Sequence, residues 1–86
     1  MITADEARQL SIKYYDYEHT ITKYEEEISQ LIKNLASRGR RTCTTYIKEI
    51  NISQMIAYNI AEKLTQNGYI VKLIYRGYYY GLFIIW

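Results

Sequence analysis

The sequence has no proline, one cysteine and one histidine in 86 residues. A single cysteine forms no internal disulfide, and one histidine with one cysteine does not complete a zinc site. No hydrophobic run approaches the roughly 18 apolar residues of a membrane-spanning helix. Met1 to Leu10 is polar and includes Asp5, Glu6 and Arg8, so the start does not read as a secretory leader. These absences predict a protein of a reducing, cytoplasmic compartment with no membrane contact and no metal or cofactor. Disorder is excluded as well, because 49% of the residues are hydrophobic and the 11 basic residues nearly balance the 9 acidic ones. A single domain over residues 1–86 buries only about 60% of its unfolded surface. With neither bridge nor metal, self-association is the remaining support for so small a core.

What is present starts with Thr3-Ala4-Asp5-Glu6, a capping box in which Thr3 accepts from the Glu6 N–H and Glu6 reaches back to Thr3. Apolar or aromatic residues then recur in alternating steps of three and four at Ala7, Leu10, Tyr14, Tyr17, Ile21, Tyr24, Ile28, Leu31 and Leu35, a heptad seam. Ala36-Ser37-Arg38-Gly39 ends it, which predicts a long first helix from about Ala4 to Ser37. Its weak point is His19-Thr20-Ile21-Thr22, where poor helix formers gather.

Arg40 to Ile47 alternates as a strand, with Cys43, Thr45 and Ile47 on one side and Thr42, Thr44 and Tyr46 on the other. Asn51 or Ser53 caps a second helix carrying Ile56, Ile60 and Leu64, which Asn67-Gly68 ends. Tyr69 to Tyr75 and Tyr78 to Trp86 form a hairpin about Arg76-Gly77, pairing Tyr75 with Tyr78, Leu73 with Tyr80 and Val71 with Leu82. The third strand is apolar on both sides and takes the centre, whereas Lys72 and Arg76 suit the second to an edge. The expected fold is α+β in the order α-β-α-β-β, with strand order 1-3-2 and both helices on one face.

A helix from Ala4 to Ser37 is about 50 Å long, whereas an eight-residue strand reaches about 27 Å. The seam through Leu10, Tyr14 and Tyr17 therefore has no sheet beneath it. Either it folds back on its own domain or another copy covers it, giving a dimer or a larger assembly.

Charge is divided along the chain. Residues 1–36 hold four basic residues against seven acids, a formal −3, and residues 37–86 hold seven against two, a formal +5. The net +2 is too small for coating nucleic acid by counterion release alone, so a focused anion site fits better. Arg38, Arg40 and Arg41, with the Thr42 hydroxyl and flexible Gly39, gather donors suited to phosphate; a solvated basic loop beside the helix end is the alternative. Tyr46 and Tyr79 offer rings for stacking on a base, with Lys72 and Arg76 beside them, while Tyr78 and Tyr80 read as core or interface aromatics. His19 with Asp16, Cys43 and the Glu25-Glu26-Glu27 run all read as structural, so no catalytic constellation is present and the chain is expected not to be an enzyme.

The opening Ile2-Thr3-Ala4-Asp5-Glu6-Ala7-Arg8, together with Gly68-Tyr69-Ile70-Val71 and Ile84-Ile85-Trp86, resembles the small α/β accessory proteins encoded by bacteriophages. The resemblance implies an accessory or counter-defence role in the host cytoplasm, a class that includes oligomeric sponges for nucleotide signals and small inhibitors of host proteins. The tyrosine content and the basic turn at Arg38 to Arg41 depart from that pattern, and no functional residue is carried over. The resulting expectation is a non-enzymatic oligomer that captures a small anionic, nucleotide-like ligand. The alternatives are inhibition of a host protein through the exposed helix or a sheet edge, and weak binding of DNA or RNA.

Overall fold

A computed structural model describes residues 1–14, 17–49 and 52–86, the side chains of 12–14 and 17 excepted. The elements are α1 (Ala4–Tyr14), α2 (Tyr17–Ala36), β1 (Thr42–Ile47), α3 (Ser53–Gln66), β2 (Ile70–Tyr75) and β3 (Tyr80–Ile85). The N-terminal helical region is thus described in two parts. Thr3 caps the first, its Oγ1 accepting from the Glu6 N–H at 3.1 Å. The second runs through His19 to Thr22 without the break that the local propensities suggest. Within it Thr22 Oγ1 donates to the Glu18 carbonyl at 3.0 Å, so the hydroxyl finds its partner on the helix itself. Two backbone bonds close α2, from Gly39 N–H to Ala36 O and from Arg40 N–H to Leu35 O, both 3.0 Å, with Gly39 at φ +81°. This glycine-dependent reversal points the chain into β1 and sets the basic turn at the helix end.

The sheet has the order β1-β3-β2 and both pairings are antiparallel. On its inner face Cys43 and Val71 flank Ile84, and Thr45 and Leu73 flank Leu82. Ile21, Tyr24, Ile28 and Ile32 of α2 and Ile56, Ala57 and Ile60 of α3 close over that face. Each large side chain removed from water there contributes about 1.5–3 kcal/mol. The seam is therefore core along α2. Ile32 is buried without belonging to the seam, because α3 packs beside α2 and widens the covered stripe.

The hairpin corrects the expected register. Tyr75 pairs with Tyr80, Leu73 with Leu82 and Val71 with Ile84, two residues away from the predicted partners. Its turn is centred on Gly77 and Tyr78, where Arg76 N–H donates to Tyr79 O at 3.0 Å and Gly77 has φ +84°. A two-residue loop that begins with positive φ requires glycine at its first position, so the chain uses Gly-Tyr and not Arg-Gly. Tyr78 becomes a loop residue, 78% exposed instead of packed, while Tyr80 keeps its place against the core.

Every residue from Met1 to Ser11 is exposed, Leu10 by 59%. The described part of α1 therefore does not fold back onto the sheet domain. The predicted seam positions Tyr14 and Tyr17 and the predicted cap Asn51 lie outside the described side chains and residues. No helix among the described residues is long and apolar enough to cross a membrane.

Candidate functional site

The second face of the sheet is left uncovered by the helices described. Strand alternation places Thr42, Thr44 and Tyr46 of β1, Ile85, Phe83 and Gly81 of β3, and Ile70, Lys72 and Ile74 of β2 on it, in three cross-strand rows. The row nearest the hairpin is Tyr46, Gly81 and Ile74. A Cβ on Gly81 would stand 2.6 Å from Tyr46 Cδ1 and 2.7 Å from Cε1, so the Tyr46 ring lies across the glycine. The Tyr79 ring meets it edge-on, with centroids 5.6 Å apart and planes at 89°. Arg76 completes the group: its Nη2 donates to the Tyr46 hydroxyl at 3.3 Å and its guanidinium carbon lies 5.8 Å from that ring's centroid. The bond to Tyr46 raises the pKa of Arg76 above a value that already keeps arginine a cation at physiological pH. Lys72 sits one row away, opposite Phe83.

Ser53 fixes the ends of the strands that carry these groups. It is only 2% exposed at the first turn of α3, yet it makes no helix cap of the predicted kind. Its Oγ donates to Ile47 O at 2.8 Å and accepts from Tyr80 N–H at 2.7 Å. One hydroxyl thereby joins the end of β1, next to Tyr46, to the start of β3, next to Tyr79.

Of the residues expected to bind a ligand, Tyr46, Tyr79, Arg76 and Lys72 come together at the hairpin end. The others do not join them. Thr42 is on the same face in the far row, paired with Ile85, and Arg41 is bound to Trp86 by Nη2 to O at 3.0 Å and by Trp86 N–H to Arg41 O at 3.0 Å. Arg38 and Arg40 are exposed in the turn before β1. Arg41 lies five positions before Tyr46, about 16 Å along an extended chain. Phe83 was not among the expected ligand residues; strand alternation alone puts it on this face, and the corrected register sets it opposite Lys72.

The electrostatics favour an anion. Residues 37–48 and 63–86 contain seven basic residues and no acid, and every Asp and Glu lies within residues 5–27 or at 49 and 62. Glu25 is engaged by Lys63, and Glu49 accepts from the Tyr24 hydroxyl on the helical side. Burial, and then the bond to Glu49, push Tyr24 up to about 12. Burial likewise raises the Cys43 thiol, which leaves it an unreactive core group.

A cleft of about 400 Å³ between α2 and α3 is lined by Ile28, Ile32, Ile60 and Leu64 with Glu25 and Lys63 at its rim, and it contains none of the expected ligand residues. Among the described residues, no three of His, Cys, Asp and Glu gather where they would hold a metal ion. The chain matches no protein-family model, no curated protein and no solved structure.

Proposed function

We propose that the chain is a non-enzymatic binding protein that takes a nucleotide-like ligand on the uncovered sheet face. The base stacks at Tyr46 and Tyr79, and the phosphate meets Arg76 and Lys72. The observation that carries this reading is the convergence of two tyrosines and an arginine on one face of a sheet layer free of carboxylates. Rings supply a sequence-tolerant stacking surface and the guanidinium supplies forked donors for phosphate. In the accessory setting that the resemblance implies, the role is sequestration of a host nucleotide. Self-association belongs to the same proposal, because Ala7 and Leu10 on α1 present the start of the seam to solvent. Calorimetric titration with mono-, di- and cyclic nucleotides tests the binding. Measurable heats that Arg76→Ala abolishes while the melting curve is retained support it, and absent heats across the panel contradict it.

A further inference from the structure

Resting on that reading, we infer that the ligand is a single-stranded nucleic acid laid along the uncovered face from the hairpin toward the start of β1. The face is longer than one nucleotide requires. Tyr46, Tyr79 and Arg76 stand at one end, and Thr42, preceded in the turn by the exposed Arg40, stands about 13 Å away. Between them Phe83 adds a third ring on the central strand, with Lys72 as its cross-strand neighbour. Rings and cations therefore recur along the strands at intervals, the arrangement that tracks successive bases and phosphates; a mononucleotide occupies one end and leaves the other unused. The face is a sheet surface and not a cavity, which suits an extended chain.

The formal net charge of +2 argues against coating of nucleic acid only when it is averaged over the molecule. Among the described residues the acids lie in the helices and at Glu49, and the segments that build the sheet and its turns carry cations alone. Charge complementarity is thus local, and it selects a polyanion over an acidic or apolar protein partner because the rings alternate with the cations.

Fluorescence anisotropy with labelled homopolymeric oligonucleotides of increasing length, beside a duplex of the same length, tests this on the full chain. Affinity is predicted to rise with length up to about four nucleotides or more and to favour the single strand over the duplex. With three or four phosphates engaged, the slope of log K against log salt should be about −2 to −3, and Lys72→Gln should make it shallower by about 0.7. Tyr79→Ala should cost about 5- to 150-fold in affinity and Tyr79→Phe less than about twofold, since stacking needs the ring and not the hydroxyl. Should Tyr79→Ala unfold the domain, the salt slope of Lys72→Gln still decides. Oligonucleotides that bind no tighter than mononucleotides, or a duplex that binds as well as the single strand, overturn this inference and leave the nucleotide reading standing. Binding of neither mononucleotide nor oligonucleotide overturns both.

Discussion

Replacing Ser53 by alanine removes one oxygen and leaves two backbone groups without partners. The hydroxyl donates to the Ile47 carbonyl and accepts from the Tyr80 N–H, and Ser53 itself is 2% exposed. An unsatisfied buried group costs about 1–3 kcal/mol, and Tyr80 is only partly buried, so water recovers some of its share. The expected loss is about 2–4 kcal/mol. For a domain of this size each kcal/mol lowers Tm by about 4–8 °C, which places the variant roughly 10–30 °C below the parent. Urea denaturation followed by circular dichroism measures the loss directly, with the slope unchanged if the denatured state is unaffected. Because Ser53 also sets the strand ends beside Tyr46 and Tyr79, nucleotide affinity should fall under conditions where the variant remains folded. A loss below about 0.5 kcal/mol, the range of an ordinary surface change, would refute the view that this hydroxyl holds the two strand ends together.

Gly81→Ala places a methyl group inside the Tyr46 ring and 3.1 Å from Thr45 O, so the ring must move; a loss of about 1–3 kcal/mol together with weakened nucleotide binding is predicted, and a parental melt would contradict it. Tyr24 is neutral when protonated and its folded pKa of about 12 exceeds the ordinary 10, so the stability it contributes is complete below pH 10 and declines as pH rises from 10 to 12. Tyr24→Phe should flatten that decline in pH-dependent melts, and an unchanged decline would assign it to another group. Lys63→Ala, which breaks an ion pair whose side chains are 51% and 36% exposed, should change stability by no more than about 1 kcal/mol in the same urea assay. Leu10→Glu should shift light-scattering mass toward the 10.3 kDa monomer, with any fall in Tm vanishing at dilutions where the parent is also dissociated, because this side chain is 59% exposed among the described residues; a parental mass that is already monomeric would remove self-association from the proposal.

The strand order was legible because Leu82 to Ile85 is apolar on both faces, a pattern that only a central strand accommodates. The register was not, since Arg-Gly and Gly-Tyr are both plausible two-residue loops and the choice rests on which position takes positive φ. The resulting slip was even, so each side chain stayed on the face that alternation gives it, and Lys72 remained on the same face as Tyr46 and Tyr79. The site was legible in part. Arg38, Arg40 and Arg41 are neighbours of Thr42 and Tyr46 in sequence, but an extended strand carries them to the far end of the sheet, and Arg41 is held by Trp86, a partner 45 residues away. Ser53 resembles a helix cap in sequence because its two real partners lie on strands that the fold alone brings to it. The burial of Ile32 has the same origin: a heptad seam describes contact with one surface, whereas α2 meets both the sheet and α3.

Amide chemical-shift mapping of the full chain during a nucleotide titration locates the site without any substitution. Thr44, Tyr46, Lys72, Arg76, Tyr79 and Phe83 should shift together, while the lining of the cleft between α2 and α3 stays unchanged. Shifts confined to Ile28, Ile60, Lys63 and Leu64, or no shifts at millimolar nucleotide, would contradict a ligand site on the uncovered face of the sheet.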